Sequence, residues 1–408
     1  MQLLKNTIPF ETAKKTFKKN PAAVKGLVLS PMILVAVSSL LLAMYAFLIG
    51  FYHRQWKRLK TYQPSAPSQV KVSVVVAARN EEQTLPLLLE DLQQQDYPKS
   101  SFEVILVDDF STDKTASLGK QLPQNFRMIQ PGCTPENSSK KKAIAAGVAA
   151  ARSELILITD ADCRIGKNWI SMHAGFYSQT GASFVAAPVR YTYRSSLLQV
   201  LQTLDFITLQ GITAASVAAN FGMMCNGANL AYTKKAFDAV NGFENIDNIP
   251  TGDDMLLMHK IWKQEPEKIA YLKSKEAIVS TAAVQSWREF IMQRRRWASK
   301  TLVYEDKRLI TVLGFVLLLN LFPIFLLIAG FFTPAAFLYL LFYLLVKALI
   351  EWPFVAAVAR FFSEQKLMRY FLLLQPLHVF YTVFVGISSQ VGSYEWKGRA
   401  ASRRGALG

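Results

Sequence analysis

The chain has 408 residues, 51% of them hydrophobic, and 46 Lys and Arg against 29 Asp and Glu give a formal net charge of +17. It is too long for one typical domain and too apolar to be wholly soluble; its three cysteines, Cys133, Cys163 and Cys225, are widely spaced with no CxxC pair, which argues against a disulfide framework or a zinc site and fits a reducing compartment. The basic residues gather beside apolar runs (Lys14, Lys15, Lys18 and Lys19; Arg54, Lys57, Arg58 and Lys60; Arg399, Arg403 and Arg404), a placement that favours anionic lipid headgroups over nucleic acid.

In chain order, residues 1–26 form a basic segment suited to the membrane interface. Residues 27–52 carry no charge and exceed the roughly 20 apolar residues that cross a bilayer as a helix, so a transmembrane helix is expected there. A linker, 53–69, ends in a Pro/Ser stretch. From 70 to 307 the pattern alternates: strand Val72–Ala77, helix Thr84–Gln95, strand Glu103–Val107, helix Asp113–Leu122, strand Arg127–Gln130, helix Lys140–Ala151, strand Leu155–Thr159. Strands alternating with helices imply an α/β domain with a mostly parallel sheet, inserted between transmembrane helices, that gathers ligands at the strands' carboxyl ends. Leu197–Gly222 is apolar but interrupted by Gln199, Gln202, Asp205 and Gln210, and reads as an amphipathic helix resting near the membrane.

Residues 308–392 hold two to three further transmembrane helices. Leu309–Phe332 and Pro334–Ala359 are full spans; Tyr370–Val391 contains Gln375, Pro376 and His378 and is open to two readings, a span or a broken interfacial helix. Lys347 and Glu351 stand at i,i+4 and are expected to pair on one helix face. A basic tail, 393–408, follows. The basic Arg360–Arg369 loop agrees with a cytoplasmic central domain, whereas the N-terminal lysines disagree.

Chemistry is carried by four elements. In LILITDADCR an apolar strand stops on Asp160 and Asp162; side chains two apart on a strand share a face, so these carboxylates suit a hard divalent cation, and a cation can bridge to a diphosphate. Asp108–Asp109 follow another strand, Asp253–Asp254 lie in TGDDM, and Gln293–Trp297 (QRRRW) joins basic and aromatic side chains. Aspartate before MLLMHKIW also suits a helix N-cap, a role expected of Asp253 beside a reactive Asp254.

The ordered set VVVAARNEEQT (74–84), VDDFSTDKT (107–115), KKKAIAAG (140–147), DADC, NGANLAYTKKAF with NGF (226–243), TGDD and QRRRW resembles the membrane-bound family 2 glycosyltransferases, which have a GT-A (nucleotide-diphosphosugar transferase) fold and include cellulose, chitin and hyaluronan synthases and lipid glycosyltransferases. The resemblance implies nucleotide binding by Glu81, Asp108, Asp109, Lys140 and Asp160, and Mg²⁺ or Mn²⁺ on Asp160 and Asp162. It implies that Asp254, with Asp253 beside it, accepts the proton of an acceptor hydroxyl during an inverting displacement. It also implies acceptor and diphosphate contacts from Gln293, Arg296, Trp297 and an acceptor-facing loop over 226–235, with Gly227 allowing close backbone approach. Two departures stand out: Ala77-Ala78 replaces a common Pro or Thr, and Phe110 stands where glycine is usual.

The expected activity is therefore transfer of a sugar from a nucleotide sugar, a UDP-sugar in the first instance, to a lipid or membrane-associated glycan, by an integral protein of the inner (cell) membrane with its catalytic domain in the cytoplasm. A processive polysaccharide or oligosaccharide synthase is the nearest rival; few spans leave little protein for a polymer channel and favour single transfer. A non-catalytic nucleotide-sugar-binding subunit is the alternative of another class. No GxGxxG, GxxxxGK[ST] or GxSxG supports a dinucleotide, P-loop or hydrolase site, four scattered histidines argue against a histidine metal centre, and no nucleic-acid partner is expected.

Overall fold

The computed structural model describes residues 31–64, 66–247, 249, 252–390, 394–396 and 399–401. The expected segment 1–26 and most of the basic tail lie outside them. Helix α1 spans Pro31–Arg58. After it come β1 (Val72–Ala78), α2 (Leu85–Gln93), β2 (Phe102–Asp108), β3 (Phe126–Ile129), α3 (Lys140–Ala150), β4 (Leu155–Ile158), α4 (Trp169–Thr180), β5 (Phe184–Ala186) and β6 (Val189–Thr192). The chain continues through α5 (Leu197–Ala218), β7 (Leu230–Thr233), α6 (Lys234–Ala239), α7 (Met255–Gln264), β8 (Ile269–Tyr271), β9 (Val279–Ala282), α8 (Trp287–Ala298), α9 (Lys307–Gly330), α10 (Ala335–Phe361) and α11 (Phe371–Ser388).

Seven strands form the main sheet in the order β3-β2-β1-β4-β7-β5-β8, parallel except that β7 runs antiparallel to both β4 and β5. Its central strands, VSVVVAA, FEVILVD and LILI, are apolar runs covered on both faces, as parallel strands must be. The chain leaves β1 for β2 and β3 on one side and returns to β4 on the other. That reversal opens a crevice beyond the carboxyl ends of β1 and β4, where no connection crosses.

The expected helix Asp113–Leu122 is instead a 3₁₀ segment, Lys114–Gln121, in which only Thr115 is buried. Leu118 and Leu122 are only partly buried against the core, which offsets little of the cost of a longer α-helix. Helix α5 also departs from expectation, since it is buried along most of its length between the sheet and the apolar helices. The glutamines that interrupt its apolar run face the domain: Gln202 Nε2 donates to Val284 O (2.9 Å), and Gln210 Oε1 accepts from Val189 N (3.0 Å). On the other face Gly211 meets α10 so closely that a Cβ there would lie 2.4 Å from Val358 Cγ2.

Among the described residues four helices are long and apolar enough to cross a membrane, namely Met32–Arg58, Lys307–Gly330, Ala335–Phe361 and Gln365–Ser388. The last runs from a 3₁₀ turn straight into α11, with Pro376 inside the helix. Lys347 and Glu351 pair at 2.6 Å, and Gln375 bonds both, accepting from Lys347 Nζ (3.0 Å) and donating to Glu351 Oε2 (2.6 Å). Tyr45 of α1 donates its hydroxyl to Glu351, so three helices share one buried polar knot.

Candidate active site

The β1 and β2 ends are laced together. Asn80, at φ 55°, donates its N–H to Ser111 Oγ (3.0 Å) and accepts at Oδ1 from Thr112 N (2.8 Å). Glu81 N donates to Thr115 Oγ1 (2.8 Å), and Glu81 Oε2 accepts from Thr84 Oγ1 (2.7 Å). Asp108 accepts from Ser111 N and from Gln130 Nε2, both at 3.2 Å, while Asp109 accepts from the Ser138 hydroxyl. Phe110 holds a left-handed φ of 55°, a conformation that favours glycine, so the unusual residue found at this position sits under backbone strain.

A second group assembles around the β4 end. Lys140, first residue of α3, reaches Asp160 Oδ1 at 2.7 Å and Asp253 Oδ2 at 3.1 Å, which selects it from the lysine trio. Lys141 points elsewhere, donating to the carbonyls of Ile246 and Ile249 (2.6 Å to the latter). Burial pushes the Lys141 ammonium down to about 8. Burial also opposes charge on Asp253, but Lys140 and Lys300 outweigh it and hold this carboxyl below its usual range.

The TGDD aspartates divide their roles differently from expectation. Asp254, not Asp253, is the N-cap of α7: its Oδ1 accepts from Met255 N at 2.7 Å and its Oδ2 from Gly227 N at 3.0 Å. Asp253 is the one that pairs with Lys140. A Cβ on Gly227 would stand 3.5–3.6 Å from Asp254 Cβ and Oδ2 and from Asp253 Oδ2, so the close approach at this glycine is to the aspartate turn itself. The pair does not end a strand; it opens a helix. The loop expected over 226–235 shrinks to 226–229, because Leu230–Thr233 is strand β7 inside the sheet. Asn229 fixes that short loop, accepting from Trp169 Nε1 (2.9 Å) and donating to Pro188 O (2.8 Å) and Ala277 O (2.7 Å).

The three arginines of QRRRW part ways on α8. Arg294 is buried and pairs with Asp205 of α5 at 2.7 Å, its guanidinium 4.4 Å from the Trp297 ring centroid. Arg295 donates to Ser388 O of α11 (3.0 Å). The Arg296 side chain makes no hydrogen bond or ion pair among the described residues. Gln293 accepts from Tyr191 OH (3.3 Å), and Trp297 lies beside Phe206 with ring centroids 6.0 Å apart. Lys300, four residues beyond Arg296, brings its ammonium 3.9 Å from Asp254 Oδ1. Sequence reasoning missed it; its one signal was that spacing from Arg296.

Asp162 is exposed two residues past Asp160. Among the described residues no group of three or more His, Cys, Asp or Glu side chains is arranged to cage a metal. Two carboxylates at an open strand end nevertheless fit a hard divalent ion that takes its other ligands from phosphate and water.

This is a GT-A-like α/β fold, flanked by four apolar helices, with an acidic cluster at the switch point of its sheet. Residues 73–240 match the model of glycosyl transferase family 2. Among curated proteins the chain is similar to glycosyltransferase AglE of Haloferax volcanii (24% identity over 187 residues, 41% of this chain and 62% of that protein). It is also similar to the beta-monoglucosyldiacylglycerol synthase of Synechocystis (26% over 251 residues, 59% and 50%). A solved structure, the mannosyltransferase PcManGT of Pyrobaculum calidifontis in complex with GDP-Man and Mn²⁺, is similar in fold, with a TM-score of 0.52 and 17% identity over 88% of this chain and 100% of that one. The chain spans less than two thirds of the length of these curated relatives.

Proposed function

We propose that the protein is a membrane glycosyltransferase that moves a sugar from a nucleotide sugar, a UDP-sugar in the first instance, to a lipid or membrane-associated glycan with inversion at the anomeric carbon. The observation that carries this reading is the joining of Asp160, Lys140, Asp253, Asp254 and Gly227 by direct contacts at the sheet's switch point. In this reading Glu81, Asp108 and Asp109 take the nucleoside, through hydrogen bonds from its base and ribose. Asp160 and Asp162 would hold Mg²⁺ or Mn²⁺, which would supply positive charge to offset that of the diphosphate.

Asp254 is the base. Backbone N–H groups fix both of its oxygens, so it is oriented before an acceptor arrives. The acceptor oxygen bonds to the anomeric carbon as its proton passes to Asp254, and the bond to the diphosphate oxygen breaks with its electron pair leaving on the nucleoside diphosphate. Asp253 keeps Lys140 in place between the two acidic motifs. Arg296 neutralises phosphate charge, and Trp297 with Gln293 borders the sugar. The domain works on the cytoplasmic side of the cell membrane. The four apolar helices among the described residues offer little material for a polymer channel, which favours single transfer over a processive synthase.

The test is to incubate the protein in native-lipid nanodiscs with Mg²⁺ or Mn²⁺ and radiolabelled UDP- and GDP-sugars, then separate lipid-extractable from polymeric product. One discrete labelled lipid is expected. A ladder would make the enzyme a synthase, and donor binding without turnover on any acceptor would make it a binding subunit.

A further inference from the structure

Lys300 is 8% exposed, and its side chain makes no hydrogen bond among the described residues. Its stem crosses Gly252, where φ is +83° and a Cβ would come within 3.0 Å of Lys300 Cδ. A side chain at 252 would therefore both strain the backbone and block the lysine's path. The ammonium ends 3.9 Å from Asp254 Oδ1, too far for a hydrogen bond, and Asp254 already takes two backbone N–H groups. The lysine's charge is balanced by Asp254 and helps hold Asp253 ionised, yet among the described residues none of its ammonium N–H groups is engaged in a hydrogen bond, so all remain free to donate.

Arg296, one helical turn earlier, is likewise uncommitted, whereas Arg294 and Arg295 are both engaged in packing. Lys300, two residues past the end of α8, puts its positive charge beside the proposed base.

We infer that Lys300 is a phosphate ligand of the catalytic pocket, its N–H groups held ready for a non-bridging phosphate oxygen of a substrate. This rests on the glycosyltransferase reading. The oxygen can come from the diphosphate of the donor or from a phosphate on a lipid acceptor, and the two sources separate experimentally.

The test uses the full chain in nanodiscs, as wild type, Lys300→Met and Lys300→Arg. Methionine keeps the stem and removes the charge. Binding of UDP and GDP, of the free nucleosides, and of a polyprenyl phosphate against its free alcohol is measured, together with the melting temperature without ligand. Lys300→Met is expected to weaken a phosphate-bearing ligand by about tenfold or more, as loss of a charge-assisted hydrogen bond does, to leave the nucleosides and the alcohol unchanged, and to melt no lower than wild type. Lys300→Arg should recover part of the affinity. Loss confined to the nucleoside diphosphates assigns Lys300 to the donor, and loss confined to the polyprenyl phosphate assigns it to the acceptor. Unchanged affinity for both classes overturns the inference whatever the melting temperature does. Wild-type protein that binds no nucleoside diphosphate defeats the glycosyltransferase reading instead, and the polyprenyl phosphate arm still judges Lys300.

Discussion

Asp254 spends both carboxylate oxygens on backbone N–H groups, so replacing it by asparagine keeps its shape and one of those acceptors. Asp254→Asn should retain donor and metal binding and lose transfer by orders of magnitude, read as kcat against nucleotide affinity; near-normal turnover would remove the base assignment. Asp162→Ala should weaken metal-dependent nucleotide binding, and an unchanged metal titration would end its ligand role. For Lys141 the sign follows from linkage. Its ammonium deprotonates near 8 in the folded protein and near its ordinary, higher value once unfolded, so between those values the unfolded chain binds more protons and stability rises with pH. Melting curves from pH 7.5 to 10 should show wild type gaining on Lys141→Met; parallel curves would contradict the burial effect. At this scale Asp108, Asp109 and Asp160 stood out in the sequence because carboxylates at or just past the ends of apolar strands have few packing uses. Which aspartate of TGDD caps the helix did not, since either could, and only the fold brings Met255 N to Asp254 and Lys140 to Asp253.

Helix α8, which carries QRRRW, is tied down from two sides. Asp205 of α5 pairs with Arg294 of α8 and accepts from the Tyr381 hydroxyl of α11, so one buried carboxylate joins the domain, the QRRRW motif and an apolar helix. Removing it strands a buried guanidinium, which is destabilising by about 3–5 kcal/mol. Asp205→Ala should therefore lower the melting temperature and depress transfer together, while nucleoside affinity, set at the ends of β1 and β2, stays near wild type. Loss of nucleoside binding in equal measure would mean global collapse and not displacement of α8. Strands β1, β2 and β4 could be read from sequence because fully buried parallel strands are continuous apolar runs. Helix α5 was misjudged for the complementary reason. Its glutamines look like a wet face in one dimension, yet in the fold Gln202 Nε2 and Gln210 Oε1 bond backbone groups of the neighbouring loop and strand.

Across the whole molecule the polar knot of Tyr45, Lys347, Glu351 and Gln375 pins α1, α10 and α11 together. Lys347 is fully buried, so Glu351→Ala should leave its charge without a counter-ion and cost about 3–5 kcal/mol, seen as a lower melting temperature in detergent. The double replacement of Lys347 and Glu351 by methionine and leucine should recover most of that loss; failure to recover would give the pair a role beyond packing. The i,i+4 spacing made this pair visible in sequence, but Tyr45 and Gln375 are brought to it only by the assembled helices.

The close seating of α5 on α10 at Gly211 sets the domain directly against its apolar base. Under the glycosyltransferase reading, a domain seated so closely would carry its acidic cluster at a set height above the apolar helices. The protein would then act as a depth gauge, sorting acceptors by the length of the spacer between their anchor and their reactive oxygen before any contact with the hydroxyl itself.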